Sequence, residues 1–213
     1  MAKRPSTDDL ASVDRAAGVH PVESVSSPSS ELDVAANRRA AKWTPAELLA
    51  RAAWEAAHLL FYCTPRQLWI VRRVMLRLFG ARIGRRVHIH PTVRIAIPWN
   101  LDIGENASVG DHAVLYSLGP ITIGNGATVS QQAHLCAGTH DYRKPDMPLV
   151  KASLTIGRGA WICADAFVGP GASVGDYAIA AARAVVVADV QPWTIVGGNP
   201  AHKIRDRTRF DDL

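Results

Sequence analysis

Residues 156–180 read IGRGAWICADAFVGPGASVGDYAIA, and this stretch decides the fold of the chain. A small or branched apolar residue recurs at every sixth position, and an alanine stands four positions after each of them. Neither an α-helix, with a period of 3.6, nor an ordinary strand, with a period of two, produces this spacing. A parallel β-helix does, because each six-residue unit supplies one short strand and one turn and points its aliphatic residue into the bore.

The same period extends over most of the chain. Earlier aliphatic positions are Ile83, Ile89, Ile103, Val109, Leu115, Ile123, Val129 and Leu135. Residues 83–190 therefore predict about five coils, with small offsets near residues 101–103 and 121–123. The low aromatic content of 7% agrees with a bore built from small and β-branched side chains. The repeat does not fix the hand of the coil, since parallel connections are usually right-handed.

The period of six fails once in an informative place. The unit that begins at Leu135 ends at His140, and the next clear unit begins only at Ile156. Residues 141–155, DYRKPDMPLVKASLT, are therefore predicted to form a loop of 15 residues that protrudes between two coils. Loops held on rigid scaffolds often carry function, so this loop marks a candidate site.

The residues before the repeat differ from it in composition. Residues 1–40 are rich in Ala, Ser, Pro, Asp and Arg and have no sustained apolar period, which predicts a disordered tail. Residues 41–80 predict a helical extension. Its first helix begins at Thr44-Pro45, where Glu47 stands three residues after Thr44 as in a capping box, and its second helix covers residues 65–79. The β-helix domain is then 81–196, and a C-terminal segment is 197–213.

Arginine dominates the region that leads into the repeat. Residues 56–101 contain eight arginines and neither Asp nor Glu, in a chain of net charge +5. Two interpretations stay open: a solvated helix face, or a basic surface on the helix 65–79 that contacts a membrane or a lipid-phosphate-linked glycan. No nucleic-acid-binding motif accompanies the charge, so we expect no nucleic-acid partner.

Cysteine usage and hydropathy indicate the compartment. The three cysteines are widely spaced, which argues against a disulfide framework and against a CxxC metal site. The sequence has neither a secretory signal nor a run approaching the roughly 18 apolar residues that cross a bilayer. We therefore expect a cytoplasmic protein, with peripheral membrane contact as an open alternative.

His140 stands immediately before the predicted loop, in the sequence AGTHDY. An imidazole suits general-base catalysis because it titrates near neutral pH. Acetyl transfer from a thioester to a hydroxyl needs such a base, and it needs a donor for the thioester oxyanion, which a backbone N–H can supply. By position alone, His140 is either this base or a structural histidine of the loop.

Three stretches of the sequence resemble the hexapeptide-repeat acetyltransferases. They are LYSLGPITIGNGATVSQQAHLCAGTHDY, AWICADAFVGPGASVGDYAIAAARAVVVADV and GGNPAHKIRDR. The chain is most similar to the colanic-acid-type polysaccharide O-acetyltransferases, and less so to maltose, galactoside and nodulation acetyltransferases. The resemblance implies a left-handed β-helix and a homotrimer with active sites shared between subunits. It also implies O-acetylation of a sugar or glycan hydroxyl by acetyl-CoA, without a metal, in exopolysaccharide or glycan biosynthesis.

The resemblance assigns roles residue by residue. It implies that His140 is the catalytic base, that the Ala164 amide contacts the thioester and its oxyanion, and that Trp161 lines the channel for acceptor and pantetheine. Further cofactor-binding positions that it implies are Ala182, Arg183, Val187, Gly198, Lys203 and Arg205.

The sequence departs from the family pattern at two places. Sugar acetyltransferases often carry an Asn near Ser117, where it orients the acceptor hydroxyl; here Tyr116 and Ser117 are the predicted acceptor-binding pair. A Thr-Lys pair near the CoA is replaced by Val187-Ala188. We therefore expect CoA binding to depend more on Arg183 and on the C-terminal basic residues.

Three alternative functions stay open. An acetyltransferase for an antibiotic or another small molecule would share the fold. A zinc enzyme similar to the γ-carbonic anhydrases would need three converging histidines from among His112, His134 and His140, but His134 and His140 are six residues apart and fall on successive faces. A non-catalytic β-helix scaffold would leave AGTHDY and GGNPA without a role.

Overall fold

Short parallel strands stacked in three sheets form most of the protein, in a computed structural model that describes residues 31–212. The strands are β1 Arg82–Ile83, β2 His88–Ile89, β3 Arg94–Ile95, β4 Leu101–Ile103, β5 Ser108–Val109, β6 Val114–Tyr116, β7 Ile121–Ile123, β8 Thr128–Val129, β9 His134–Cys136, β10 Thr139–His140, β11 Leu149–Val150, β12 Leu154–Ile156, β13 Trp161–Ile162, β14 Phe167–Val168, β15 Ser173–Val174, β16 Ile179–Ala180, β17 Val185–Val186, β18 Thr194–Gly197 and β19 His202–Asp206.

Each coil contributes one strand to each sheet. Sheet A has the order β1-β4-β7-β12-β15, sheet C has the order β3-β6-β9-β14-β17, and sheet B runs β2-β5-β8-β13-β16-β18, with β19 added antiparallel at its end. Five coils are complete, and a sixth begins where Val190 bridges Val174 and β18 pairs with β16. The predicted parallel β-helix is therefore confirmed, with about six turns instead of five.

The register explains the offsets in the repeat. Arg82 pairs with Asp102, 20 residues later, whereas Thr155 pairs with Ser173, 18 residues later. The extra residues of the first coil are taken up by a 3-10 turn at Pro98–Asn100. Three units of six residues make a coil of 18, which holds between β12 and β15, whereas the first two coils take 20 residues and the step from β16 to β18 takes 16.

The repeated aliphatic residues fill the bore, and the glycines let coils approach. Ile123, Val129 and Ile162 have at most 1% of their surface exposed. At Gly157 a Cβ atom would lie 2.5 Å from the amide nitrogen of Asp176 in the next coil, so any side chain would force the two coils apart. The glycine is needed there for this close contact between backbones.

Three α-helices precede the first coil: α1 Val34–Arg39, α2 Pro45–Cys63 and α3 Trp69–Leu78. Helix α1 corrects the predicted tail, because Asp33 caps it through a bond from the Ala36 amide; residues 1–30 of that prediction lie outside the described residues. Helix α2 has the predicted capping box of Thr44 and Glu47. The second predicted helix starts later than expected, because the Leu68 amide closes a turn onto the Pro65 carbonyl.

Side chains of α2 cap the open end of the first coil. That coil has a neighbour on one side only, so its carbonyl groups on the other side need donors from elsewhere. The buried Trp54 donates from Nε1 to the Ile95 carbonyl at 2.8 Å, and His58 donates from Nε2 to the Val93 carbonyl at 3.1 Å. The helix thereby protects a sheet edge.

Arginines of α3 donate hydrogen bonds to carbonyl groups of the same edge. The donor–acceptor pairs are Arg72 to Ile89 at 2.6 Å, Arg73 to Val87 at 3.0 Å and Arg77 to Ile83 at 2.6 Å. Arg72 is fully buried and also bonds to Thr64 Oγ1 and to the Pro65 and Arg66 carbonyls. Three arginines of helix 65–79 thus donate to carbonyl groups. Arg72 is buried, whereas Arg77 keeps an exposed side chain, so the basic surface on this helix stays a prediction.

The outward face of α2 and α3 is apolar. Exposed side chains include Leu49, Leu59, Leu60, Ile70 and Leu78, the last with 80% of its surface accessible. Among residues 31–212, no helix combines the length and hydrophobicity needed to cross a membrane.

Candidate functional site

The interruption in the repeat is a β-hairpin that carries His140. Strand β10 pairs antiparallel with β11, so that His140 lies opposite Leu149. The excursion therefore begins a little before the predicted loop 141–155, and His140 belongs to its first strand. It leaves the β-helix at the corner where sheet C turns into sheet A, which we call the C–A corner.

The hairpin fixes the tautomer of His140. Its Nδ1 lies 2.6 Å from the carbonyl oxygen of Met147. Because a carbonyl only accepts, Nδ1 carries the proton and Nε2 keeps its lone pair. The side chain is exposed, so Nε2 is free to accept a proton from a hydroxyl. Beside it, hydrogen bonds from Arg143 hold the pKa of Asp141 below its usual value.

A second group of predicted residues forms a column at the corner between sheets B and C, here called the B–C corner. Ile162, Ala180 and Val196 are in register in successive coils. Ala164, Ala182 and Gly198, each two residues further on, therefore occupy the same place in three successive coils. The predicted thioester and pantetheine contacts are thus brought together along one edge of the solenoid.

Backbone amides along this column are available to a ligand. In the described part of the chain, neither the Ala164 nor the Ala182 amide donates to a backbone or side-chain acceptor. Ala182 is exposed and Ala164 is half-buried. An amide that points outwards from a rigid turn can stabilise an oxyanion without reorganisation.

Basic side chains lie at the same end of the molecule. Arg183 is exposed and its Nε lies 3.5 Å from Asp165 Oδ2. In β19, Lys203 pairs with Asp206 at 2.7 Å, and Arg205 is exposed. These are weak exposed ion pairs, so the cations can exchange these partners for a phosphate.

Trp161 stands on the outer face of sheet B, next to the column. Its Nε1 donates to Ser130 Oγ at 2.8 Å, and 44% of its surface is exposed. It borders a cavity of about 540 Å³ that also touches Tyr177 and Arg207. A second cavity of about 510 Å³, lined by Ser130 and Thr128, lies along the same sheet.

The acceptor-side prediction needs a correction at Ser117. This side chain is fully buried; its Oγ accepts from the Ile97 amide at 2.9 Å and donates to the Ile97 carbonyl at 2.8 Å. It therefore satisfies the backbone of the preceding coil and cannot reach an acceptor. Tyr116 is 40% exposed and pairs with Cys136, directly before the His140 excursion, which leaves it as the acceptor-side candidate.

One chain does not bring the predicted residues into one site. His140 departs from the C–A corner, while Ala164, Ala182 and Gly198 lie at the B–C corner, on the opposite edge of sheet C. Val187, with 59% of its surface exposed, also lies at the C–A corner, two coils beyond His140 and away from the other cofactor positions. Within one chain, the predicted base and most of the predicted cofactor contacts therefore lie at different corners.

Two other titratable groups of this region have shifted pKa values. Burial raises the pKa of the Cys163 thiol, which keeps it protonated. Burial lowers the pKa of His134, which lies edge-on to Phe167 at 5.4 Å. Within residues 31–212, no group of three or more His, Cys, Asp or Glu side chains is arranged to hold a metal.

Sequence reasoning missed the residues that hold the hairpin. Asn37, at the end of α1, donates from Nδ2 to the carbonyls of Asp146 and Met147. It falls inside the predicted disordered tail, more than 100 residues from its partners, and no local pattern marks it.

Comparison with known proteins agrees with this geometry. The chain is 40% identical over 158 residues to the Escherichia coli K12 protein named as a colanic acid biosynthesis acetyltransferase, WcaF, covering 74% of this chain and 87% of that one. The chain belongs to the hexapeptide-repeat acetyltransferase family. No family model matches the sequence.

Solved acetyltransferases share the fold. A hexapeptide-repeat acetyltransferase of Vibrio cholerae in complex with acetyl-CoA superimposes with a TM-score of 0.72 at 21% identity, over 79% of this chain and 93% of that one. A maltose O-acetyltransferase of Clostridium difficile 630 gives 0.70 at 22% identity, over 78% and 90%. The predicted left-handed parallel β-helix is confirmed, and so is the predicted acetyltransferase.

Proposed function

We propose that this acetyltransferase moves the acetyl group of acetyl-CoA to a hydroxyl of a sugar or glycan, with His140 as the general base. The observation that carries the proposal is the 2.6 Å bond from His140 Nδ1 to the Met147 carbonyl. This bond leaves the Nε2 lone pair on an exposed strand, which is the arrangement a general base needs.

The chemistry follows from these atoms. Nε2 of His140 removes the hydroxyl proton while the oxygen attacks the thioester carbonyl carbon. The Ala164 N–H donates to the oxyanion that forms. The C–S bond then breaks, and the imidazolium returns the proton to the departing thiolate, so that the enzyme ends as it began.

The column at the B–C corner supports the donor side of the proposal. Free amides at Ala164 and Ala182 suit the amide-rich pantetheine arm. Arg183, Lys203 and Arg205 lie further along the same edge and suit the phosphates of CoA.

A shared site between subunits of a homotrimer accounts for the separation of His140 from that column. Co-expression of His140→Ala with Ala182→Trp tests this. Each variant alone should be inactive, and hybrid trimers should recover activity where a subunit with intact His140 meets a subunit with intact Ala182. If the site lay within one chain, every subunit would carry a defect and the mixture would stay inactive.

The acceptor is proposed to be a cytoplasmic precursor of a polysaccharide, on the strength of the similarity to WcaF. Acetyl-CoA turnover against simple sugars, a lipid-linked sugar and a hydroxylated antibiotic tests this class. Turnover only with the antibiotic would contradict the proposal, and activity that tracks stoichiometric zinc would favour the carbonic-anhydrase-like alternative.

We further propose that peripheral membrane contact, if the acceptor is lipid-linked, uses the apolar face of α2 and α3. Leu49, Leu60, Ile70 and Leu78 support this, since exposed apolar residues on surface helices enter the interfacial region of a bilayer. Flotation with neutral phosphatidylcholine vesicles should carry the protein, and Ile70→Ser with Leu78→Ser should weaken it. Binding that requires anionic lipid would contradict an apolar contact.

A further inference from the structure

Helix α1 reaches the same carbonyl that positions the catalytic histidine. The Met147 carbonyl oxygen accepts two hydrogen bonds: one from His140 Nδ1 at 2.6 Å and one from Asn37 Nδ2 at 2.5 Å. Asn37 and His140 thus meet on one atom, although 103 residues separate them in the chain.

The Met147 backbone depends on outside support. Its φ is +38°, in the left-handed region that residues with a Cβ seldom occupy. Such conformations are strained and persist only when the surroundings hold them. The Asn37 amide supports this backbone conformation on both sides of the Met147 Cα atom, because it also donates to the carbonyl of the preceding residue, Asp146, at 2.6 Å.

The orientation of the Asn37 amide is itself fixed. Lys42 Nζ donates to Asn37 Oδ1 at 2.6 Å, so the oxygen faces the ammonium and the N–H groups face the hairpin. The Asp33 amide adds a bond to the Pro145 carbonyl at 2.8 Å. Helix α1 therefore grips residues 145–147 through backbone and side-chain donors together.

From this geometry we infer that Asn37 is a positioning residue for catalysis, which holds the Met147 carbonyl so that His140 presents Nε2 in the reactive tautomer. The inference rests on the proposed role of His140 as the base. Asn37 itself touches no reacting atom, so its effect must pass through His140. At metal sites, residues that orient a ligating histidine typically change activity by about 10- to 100-fold, and we expect a comparable loss here.

Asn37→Asp is the sharpest probe, because it keeps the shape of the side chain and its contact with Lys42 but replaces both N–H donors by an oxygen that repels the two carbonyls. We expect kcat to fall about 10-fold or more with KM for acetyl-CoA little changed, since the B–C corner is untouched. Arg38→Gln, at the next and exposed residue of α1, makes the same change in net charge and should retain full turnover. Asn37→Ser keeps one short donor, so its kcat should lie between those of Asn37→Asp and Arg38→Gln.

A double-mutant cycle separates positioning from mere folding. In a His140→Ala background, Asn37→Asp should cause no further loss of kcat, because its only route to the reaction has been removed. A full additional 10-fold loss there, or wild-type kcat in Asn37→Asp alone, overturns the inference. If His140→Ala by itself keeps normal turnover, the proposed function fails instead, so the two failures are distinguishable.

Discussion

The coils of the β-helix and the His140 hairpin are built on different principles. In the coils, every strand repeats the bonds of the strand before it, and each aliphatic residue packs on its equivalent one turn away. The hairpin leaves this ladder, pairs only two residues with two, and depends on Asn37 and Asp33 of a distant segment.

The difference shows how stability and chemistry are divided. A side chain in the bore is shielded from water and contributes by packing, whereas His140 is exposed and its proposed contribution is the lone pair of Nε2. Damage to the bore should therefore appear as a loss of stability, and damage to the hairpin as a loss of activity.

The largest expected effect is on the bore. Ile123→Ala removes a side chain that is 1% exposed and leaves a cavity between two coils, so unfolding should become easier by about 2–5 kcal/mol. Thr122→Ala, the exposed neighbour on the same strand, is the matched control and should change stability by less than about 0.5 kcal/mol. Urea unfolding of both variants measures this, and equal losses would mean that the bore does not carry the fold.

The second effect falls on activity and leaves stability nearly unchanged. His140→Ala should lower kcat by about 10²-fold or more, as expected for loss of a general base. Because the side chain is exposed, the urea midpoint should stay near that of the wild type. A large loss of stability with kcat retained would place His140 among structural residues and would remove it from the reaction.

Ser117 provides a smaller test at the boundary between the two regions. Ser117→Ala leaves the buried Ile97 N–H without a partner inside the protein, while the Ile97 carbonyl keeps the Asn100 amide as a donor, and the loss should cost about 1–3 kcal/mol of stability. Turnover of the folded enzyme should be unaffected, because the hydroxyl faces the interior. A rise in KM for the acceptor at unchanged stability would restore Ser117 to the acceptor site.

The smallest effect concerns pH. Burial lowers the pKa of His134, so the unfolded chain binds more protons than the folded one below about pH 6.5. Stability should therefore decline as pH falls through that value, and His134→Gln should decline less. Unfolding midpoints at pH 7.5 and 5.5 measure the difference. His112→Gln, at an exposed position, is the control. If it lessened the decline in stability between pH 7.5 and 5.5 as much as His134→Gln does, His134 would not be the cause.

Local patterns predicted the scaffold well. The aliphatic residue at every sixth position places Ile123 and Ile162 in the bore, because neighbours along the chain become neighbours in the fold after one regular coil. The place where the pattern stops located the excursion next to His140. The capping box of α2 was equally readable, since Thr44 and Glu47 are three residues apart.

Contacts between distant segments were not readable in the same way. The excess of arginine before the repeat did not reveal that Arg72, Arg73 and Arg77 donate to carbonyl groups. Carbonyl groups carry no formal charge, so a search for acidic partners in the sequence does not find them. Ser117 was assigned to the acceptor by resemblance, and only its burial shows that it serves Ile97.

The sequence by itself determined the coil, its interruption and the position of His140 as the candidate base, because a repeat places similar residues at a fixed spacing along the chain. The tertiary structure alone decided which donors cap the first coil, which corner gathers the predicted thioester and pantetheine contacts, and how Asn37 comes to lie against the Met147 carbonyl. Those outcomes depend on where a folded backbone places one polar group opposite another, and a hydrogen bond between residues 110 positions apart imposes no pattern on the residues between them.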